Sequence, residues 1–350
     1  MKQHGMEKDE LSNLDAYVTE QIEYILAEFP NRSPGSDDER AAQEYVAREA
    51  MKYADDVEIQ DYKVSDKAFM GFQIPLAIFM IAGALVYWFM PIIALLLSVL
   101  GFLIFLFEFV LLKQFLEKIA FPFYKGKFSQ NVIARRKLRE DVKRILILNA
   151  HVDASYEFRL SMIHPALFKI LVNAGVLSIF IMLGINTAAT IFSILPGASW
   201  NAMRTWITGI ADLWGIFGIL QLVLIPLLIA IASWYNYDVV SPGANDNLTG
   251  VGSVLAMLKA LHEQDVVFDH TEVIAVITGS EEAGARGAKY FAREFRSNKK
   301  QGISIHPQNQ KKPVPPVHNF FHILLYLGYH LLKNPKLVKI YSSSGYMQKL

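Results

Sequence analysis

The chain has 350 residues, 53% of them hydrophobic and 19% charged, with no cysteine and a formal net charge of +1. That composition excludes an intrinsically disordered chain, a collagen-like repeat and a disulfide scaffold. Without cysteine there is no thiol catalysis, no cysteine-ligated zinc finger and no iron–sulfur cluster, and the near-neutral charge gives no electrostatic reason to expect nucleic acid as a partner.

The start, Met1 to Tyr17, is polar and lacks the apolar core of a secretory signal peptide. Tyr17, Ile22, Ile25 and Leu26 fall roughly on one face of a helix. Asn31-Arg32-Ser33-Pro34-Gly35 interrupts the chain, and Ser36 with Glu39 predicts a capping box that opens a helix through about Met51. Val57, Ile59 and Tyr62 predict a strand.

From Phe69 to Leu112 the only ionisable side chain is Glu108, and Pro91 lies mid-way. A bilayer core takes about 20 apolar residues per helix, so this stretch predicts two spans joined by a tight turn at Met90-Pro91. Proline is tolerated there because the first turn of a helix does not use its N–H. Tyr87 and Trp88 beside the turn suit an aromatic interface belt.

Next come Asn131 to Ala134, a second strand, and the apolar run Ile145 to Ala150, which ends in His151-Val152-Asp153. The run predicts a central strand buried on both faces, with His151 at the carboxyl end where open α/β sheets bind ligands. A second apolar region, Ala166 to Trp234, predicts spans near Ile170–Phe192 and Leu213–Trp234 around a polar loop with Pro196, Asn201 and Arg204. Lys63, Lys67, Lys113, Lys118, Lys125 and Lys127 flank the open side of the first hairpin and its tip has no basic residue. Arg159 and Lys169 lie at the start of the second hairpin and only Arg204 in its tip. The positive-inside rule then places the polar body in the cytoplasm, held to the lipid bilayer as a multi-pass protein with four spans.

Ser241-Pro242-Gly243-Ala244-Asn245-Asp246-Asn247 is a turn-forming run before a helix with Val251, Val254, Leu255, Leu258 and Leu261 on one face. The strand Val273–Thr278 leads into Gly279-Ser280-Glu281-Glu282-Ala283-Gly284, then a helix from Ala288 to Phe295. Strand–helix alternation predicts a three-layer α/β/α sandwich. Its sequence is interrupted: 1–67, 114–164 and 236–296 form the polar domain, 68–113 and 165–235 are transmembrane hairpins, and 297–350 is a basic tail.

Three places set metal-competent side chains just after a strand or just before a helix: His151 with Asp153, then Asp246, then Glu281 with Glu282. Taken singly, each has a plain structural use as a local hydrogen-bonded pair, a helix N-cap or a solvated turn. In combination they fit a two-metal hydrolytic site, which needs a carboxylate to bridge ions about 3.5–4 Å apart, terminal N or O ligands, and a free carboxylate to take a proton from the attacking water. Asp246 suits the bridge, His151 a terminal ligand, and Asp153 the group that orients its imidazole. Of the adjacent glutamates, one can ligate while the other faces the water.

The segments N-A-H-V-D, S-P-G-A-N-D-N-L-T-G-V and G-S-E-E-A-G-A-R-G-A-K-Y-F resemble the co-catalytic zinc aminopeptidase family, which includes leucyl-type aminopeptidases, glutamate carboxypeptidase and the transferrin receptor ectodomain. Arg32-Ser33-Pro34-Gly35-Ser36 is similar to its early signature, and the resemblance covers about 15–65, 129–158 and 236–296. It implies a zinc-exopeptidase-like fold, two zinc ions, a peptide substrate, and metal ligation by His151, Asp246 (bridging) and Glu282. It further implies Glu281 as general base and Asp153 as the support of His151.

The same resemblance implies an aspartate after the next strand and a later histidine, yet no aspartate follows Asp269 and no acidic residue follows Glu294. Three of five ligands are thus identified, which puts turnover in question and leaves open a truncated or frame-shifted chain, a degenerate non-catalytic relative or a substitute ligand. His318 and His322 have the i,i+4 spacing of a helical metal pair within an otherwise basic tail. Two other classes compete with the peptidase: a non-catalytic membrane protein keeping the fold as a binding module, and a small transporter dependent on Glu108 or Asp212.

Overall fold

The computed structural model describes residues 8–67, 71–110, 126–200 and 212–300. Lys113, Lys118, Lys125, Asn201, Arg204, His318, His322 and the rest of the tail beyond Lys300 lie outside the described residues. In chain order the elements begin with α1 (Lys8–Glu28), α2 (Asp37–Met51), β1 (Asp56–Val64), α3 (Gln73–Val86), α4 (Pro91–Ile104), β2 (Lys127–Arg136) and β3 (Arg144–His151). They continue with β4 (Tyr156–Glu157), α5 (Arg159–Ile163), α6 (Pro165–Ser193), α7 (Leu213–Ser233), β5 (Asn236–Val240), α8 (Thr249–Glu263), β6 (Thr271–Thr278) and α9 (Arg286–Lys300). They fall into two compact units, one of residues Met1–Asp66, Gly126–Tyr156 and Val240–Leu350, the other of Lys67–Lys125 and Glu157–Val239.

The first unit is α/β with a mixed sheet. Strand order is β1-β2-β6-β3, with β1–β2 and β2–β6 antiparallel and β3–β6 parallel. The apolar stripes of α1, α2 and α8 (Ile22 and Ile25, Val46, Val254 and Leu258) pack with Leu148, Ala150, Ala275 and Ile277 on one face of the sheet. Phe291 and Phe295 of α9 pack with Ile133, Ile145, Ile274 and Val276 on the other. Period-2 alternation explains how one strand feeds both clusters. Among the described residues β2 and β6 are the inner strands and β3 is an end strand, which corrects the central position expected for it. The apolar run of β3 reports helices above and below it, and that pattern is silent about which strand lies beside it.

Helix α2 starts as the sequence implies, in part. Ser36 Oγ accepts the Glu39 N–H at 3.0 Å, with Asp37 and Asp38 in the first turn and Arg48 in the last, all favourable to the helix dipole. The reciprocal half of the capping box is absent, because the Ser36 N–H already donates to the Ser33 carbonyl at 2.9 Å. Glu39 instead accepts the Gly35 N–H at 2.6 Å.

In the second unit, Pro91–Glu108, Pro165–Ser193 and Leu213–Ser233 are long and apolar enough to cross a membrane. Their length and composition suggest a membrane protein. Only 22% to 33% of each hydrophobic stretch is buried, so its outer surface is apolar, as lipid contact requires. The fourth apolar helix, α3, has 14 residues and so is about 21 Å long, shorter than a span expected from the sequence. Pro91 and Pro165 occupy helix starts, and Asp212 N-caps α7 by accepting the Gly215 N–H at 2.5 Å. Asp212, one of the two candidates for a transport pathway, thus has a structural use. Tyr87 and Trp88 pack inward instead of forming an outer belt: Tyr87 donates to the Trp214 carbonyl at 2.8 Å, and the Trp88 indole lies against Gly218. Burial of these rings needs a partner for the polar tip, which Trp214 supplies for Tyr87.

Candidate metal centre

Parallel pairing of β3 with β6 sets His151 opposite Thr278, so residues 151–153 and the loop after Thr278 leave the sheet at one edge. The Val152 N–H donates to the Thr278 carbonyl at 3.0 Å and carries the ladder one step further. Asp153 then turns inward and is fully buried. Its Oδ1 accepts the Glu281 N–H and its Oδ2 the Glu282 N–H, both at 2.9 Å. His151 Nδ1 lies 3.4 Å from Asp153 Oδ1 and 3.2 Å from the Asp153 carbonyl oxygen. One carboxylate therefore orients the imidazole and both glutamate backbones.

The other face of the imidazole meets the third segment. His151 Nε2 lies 3.1 Å from Asp246 Oδ1 and 3.8 Å from Glu281 Oε2. Gly243 makes the approach of this loop possible: its φ is +62°, and a Cβ there would come within 2.8 Å of the Ala154 Cβ. The Ser241 N–H donates to the Ser155 carbonyl at 2.8 Å and seats the same loop beside residues 153–155. Asp246, at φ −119°, ψ 89°, lies two residues before Leu248, the N-cap position of α8, and its carboxylate turns to His151. The turn after β6 carries Ser280 in the left-handed region at φ +47°, an unusual conformation for a non-glycine residue.

All five residues singled out in the sequence meet here. His151, Glu281 and Glu282 each offer a ligand atom, and these atoms lie within 4.8 Å of one another. The glutamates differ from Asp153 in access, since the Glu281 side chain is 43% exposed and that of Asp153 is closed off.

The charges match this crowding. Burial opposes a proton on His151, but its hydrogen bonds with Asp153 and Asp246 and the field of Glu281 outweigh burial and push it up to about 11. The bond from His151 holds Asp246 below the usual carboxylate range. Burial raises Glu281 against the attraction of His151, and burial with the negative charges of Asp153 and Asp246 pushes Glu282 up to about 7. Four carboxyl groups crowd one imidazole, and two of them, Glu281 and Glu282, are raised by burial and by the neighbouring carboxylates. A divalent cation would offset that crowding. One imidazole nitrogen with carboxylate oxygens is also a donor set suited to zinc and related first-row ions, so the residues fit the group.

Two residues noted in the sequence, Arg32 in a linker similar to the family's early signature and Glu39 as a capping residue, line the back of the site. Arg32 is fully buried and donates from Nε to the Val152 carbonyl at 3.0 Å, from Nη1 to Phe29 at 2.7 Å and from Nη2 to Pro242 at 2.6 Å. Burial lowers it to about 10 against the attraction of Asp153 and Asp38, so it remains a cation at neutral pH. Glu39 Oε1 accepts the Ser280 N–H at 2.5 Å and the Ser280 hydroxyl at 3.0 Å. The early signature and its Pro-Gly turn marked the arginine locally, and no periodicity reveals a reach of 241 residues from Glu39 to Ser280.

No curated protein matches the chain. Residues 230–306 match the model of peptidase family M28, a segment that carries Asp246, Glu281 and Glu282 but not His151 or Asp153. This similarity supports a co-catalytic zinc peptidase family and, with it, a metallopeptidase-type function.

Proposed function

We propose that the chain is a membrane-anchored, zinc-dependent peptidase of aminopeptidase type. The observation that carries the reading is the convergence of His151, from outside the matched segment, on Asp246 and Glu281 within it. His151, Asp246 and Glu282 would hold the metal, and zinc would supply Lewis-acid polarisation of a peptide carbonyl and acidification of water. Glu281 is the general base, a role that the family resemblance of Gly279-Ser280-Glu281-Glu282 implies and that its partly exposed carboxylate, 3.8 Å from His151, can serve. Asp153, buried and committed to two backbone amides, keeps the imidazole oriented and touches no substrate. The apolar helices of the second unit form two hairpins with four spans, and the α/β unit, a three-layer sandwich, faces the cytoplasm. A reporter fused after Trp200 then lies outside and one after Tyr156 inside.

A second reading, a binding module that keeps the fold without turnover, is favoured by the lack of any acidic residue beyond Glu294. Metal analysis of the purified full chain, with aminoacyl-peptide hydrolysis by wild type and Glu281→Gln, separates the two. The peptidase retains zinc in both proteins, and Glu281→Gln loses about 10²-fold or more in rate. Absence of cleavage by the wild type, with or without zinc, overturns the peptidase and selects the binding module.

A further inference from the structure

The three segments that carry the site residues come from far apart in the chain, and two side chains of one short stretch touch all three. Arg32 holds the Val152 carbonyl, between His151 and Asp153, and the Pro242 carbonyl, at the head of the Asp246 loop. Glu39 holds the backbone and hydroxyl of Ser280, the residue before Glu281. Its other oxygen accepts the Gly35 N–H, in the turn between the two. Both side chains are wholly buried, so neither reaches a substrate; the Arg32 bonds are charge-assisted, the stronger kind, and burial pushes Glu39 up to about 8.

We infer that the stretch from Arg32 to Glu39 is a clasp that sets the spacing of the three ligand-bearing segments, with Arg32 and Glu39 as positioning residues. Arg32 fixes His151 relative to Asp246, and Glu39 fixes the glutamates relative to both. The metal part of this inference rests on the peptidase reading, whereas the positioning of the loops does not. A planar guanidinium forks across carbonyls in a way that a lysine ammonium cannot, so charge alone does not replace it. Glu39→Gln turns an amide donor toward one of two backbone N–H groups that need acceptors, Gly35 and Ser280.

The molecule supplies its own control. Arg136 is also buried, and its guanidinium likewise holds three carbonyls, those of Tyr53, Leu261 and Val266. It pairs with Val273 at the opposite end of β6 from the site. Arg136→Met therefore reports the cost of losing such a group without touching the clasp.

The experiment compares full-length wild type, Arg32→Lys, Arg32→Met, Glu39→Gln and Arg136→Met by hydrogen exchange, by zinc competition with a chelating dye and by the absorption spectrum of bound cobalt. Exchange is expected to speed up about tenfold or more in 241–248 for both Arg32 variants and in 279–283 for Glu39→Gln, with no change in either segment for Arg136→Met. Zinc affinity is expected to fall about 10–100-fold in the three clasp variants with an altered cobalt spectrum, and to stay at the wild-type value in Arg136→Met whatever its melting temperature. Unchanged exchange in those segments, or an equal effect from Arg136→Met, overturns the clasp. If wild type binds no metal, the peptidase reading fails while exchange still decides the clasp.

Discussion

The two units bury polar side chains against different partners. In the α/β unit the fully buried polar residues include ionisable ones (Arg32, Glu39 and Asp153) beside neutral ones such as Gln43, Ser129 and Asn131, and each of the three ionisable groups bonds to backbone groups of loops distant in sequence. In the apolar unit the buried polar residues are neutral (Gln73, Ser98, Ser178, Asn186 and Gln221), with Glu108 the one charged member among the described residues. Their bonds go to helices: Asn186 donates to Ser98 Oγ at 2.6 Å, and Ser178 donates back to Gly175 at 2.6 Å. Desolvating a charge costs several kcal/mol, so it persists only where bonds satisfy it completely, and that completeness fixes geometry. A neutral dipole costs less to bury and joins helices without setting a catalytic arrangement.

The largest expected effect comes from opening the charged network. Asp153→Ala leaves the Glu281 and Glu282 amides without their acceptor and removes the negative charge that acts most strongly on Arg32. A loss of about 3–5 kcal/mol is expected, together with loss of metal affinity, measured by denaturant unfolding and zinc competition on the same preparation. A change below about 1 kcal/mol would mean that water replaces the carboxylate, and the contrast between the units would then be one of composition alone.

Next in size is a packing change in the apolar unit. A Cβ at Gly218 would come within 2.5–2.9 Å of three atoms of the Trp88 ring, a rigid neighbour with little room to turn. Gly218→Leu is expected to lower the stability of this unit by about 1–3 kcal/mol, read as a shift of the thermal transition in detergent. Gln221→Leu is expected to act in the opposite direction. Neither Oε1 nor Nε2 of this buried amide has a hydrogen-bond partner among the described residues, and leucine has similar volume without the polar group. A gain of about 1–2 kcal/mol on the same thermal scale follows, and a loss would show that the amide is satisfied by water in the membrane.

The same contrast decides what could be read from the sequence. Periodicity located Val254 and Leu258 on the buried face of α8 and the apolar strand β6, because a single side chain spacing encodes each. Pattern chemistry also singled out His151, Asp246 and the glutamates, since few folds need those groups at the ends of strands. Strand order is a property of distant pairings, so β3 could be recognised as a strand but not as the neighbour of β6 alone. The inward turn of Tyr87 and Trp88 depends on Gly218 and Trp214, more than a hundred residues later in the chain. Glu39 had a sufficient local explanation as a capping residue, and that explanation hid its bond to Ser280.

The smallest expected effect tests the neutral side of the comparison. Asn186 on α6 and Ser98 on α4 form a direct bond between helices, with both side chains fully buried. Either substitution alone also changes volume, so a single variant cannot isolate the bond. A double-mutant cycle with Asn186→Ala and Ser98→Ala cancels the packing terms and leaves the coupling, expected at about 0.6 kcal/mol, as for other hydrogen bonds between membrane helices. The value stays small because each group, once separated, finds another partner within its own helix or neighbours. A coupling above about 2 kcal/mol would place this pair with the charged network of the α/β unit, and the division between positioning by charge and association by dipole would not hold.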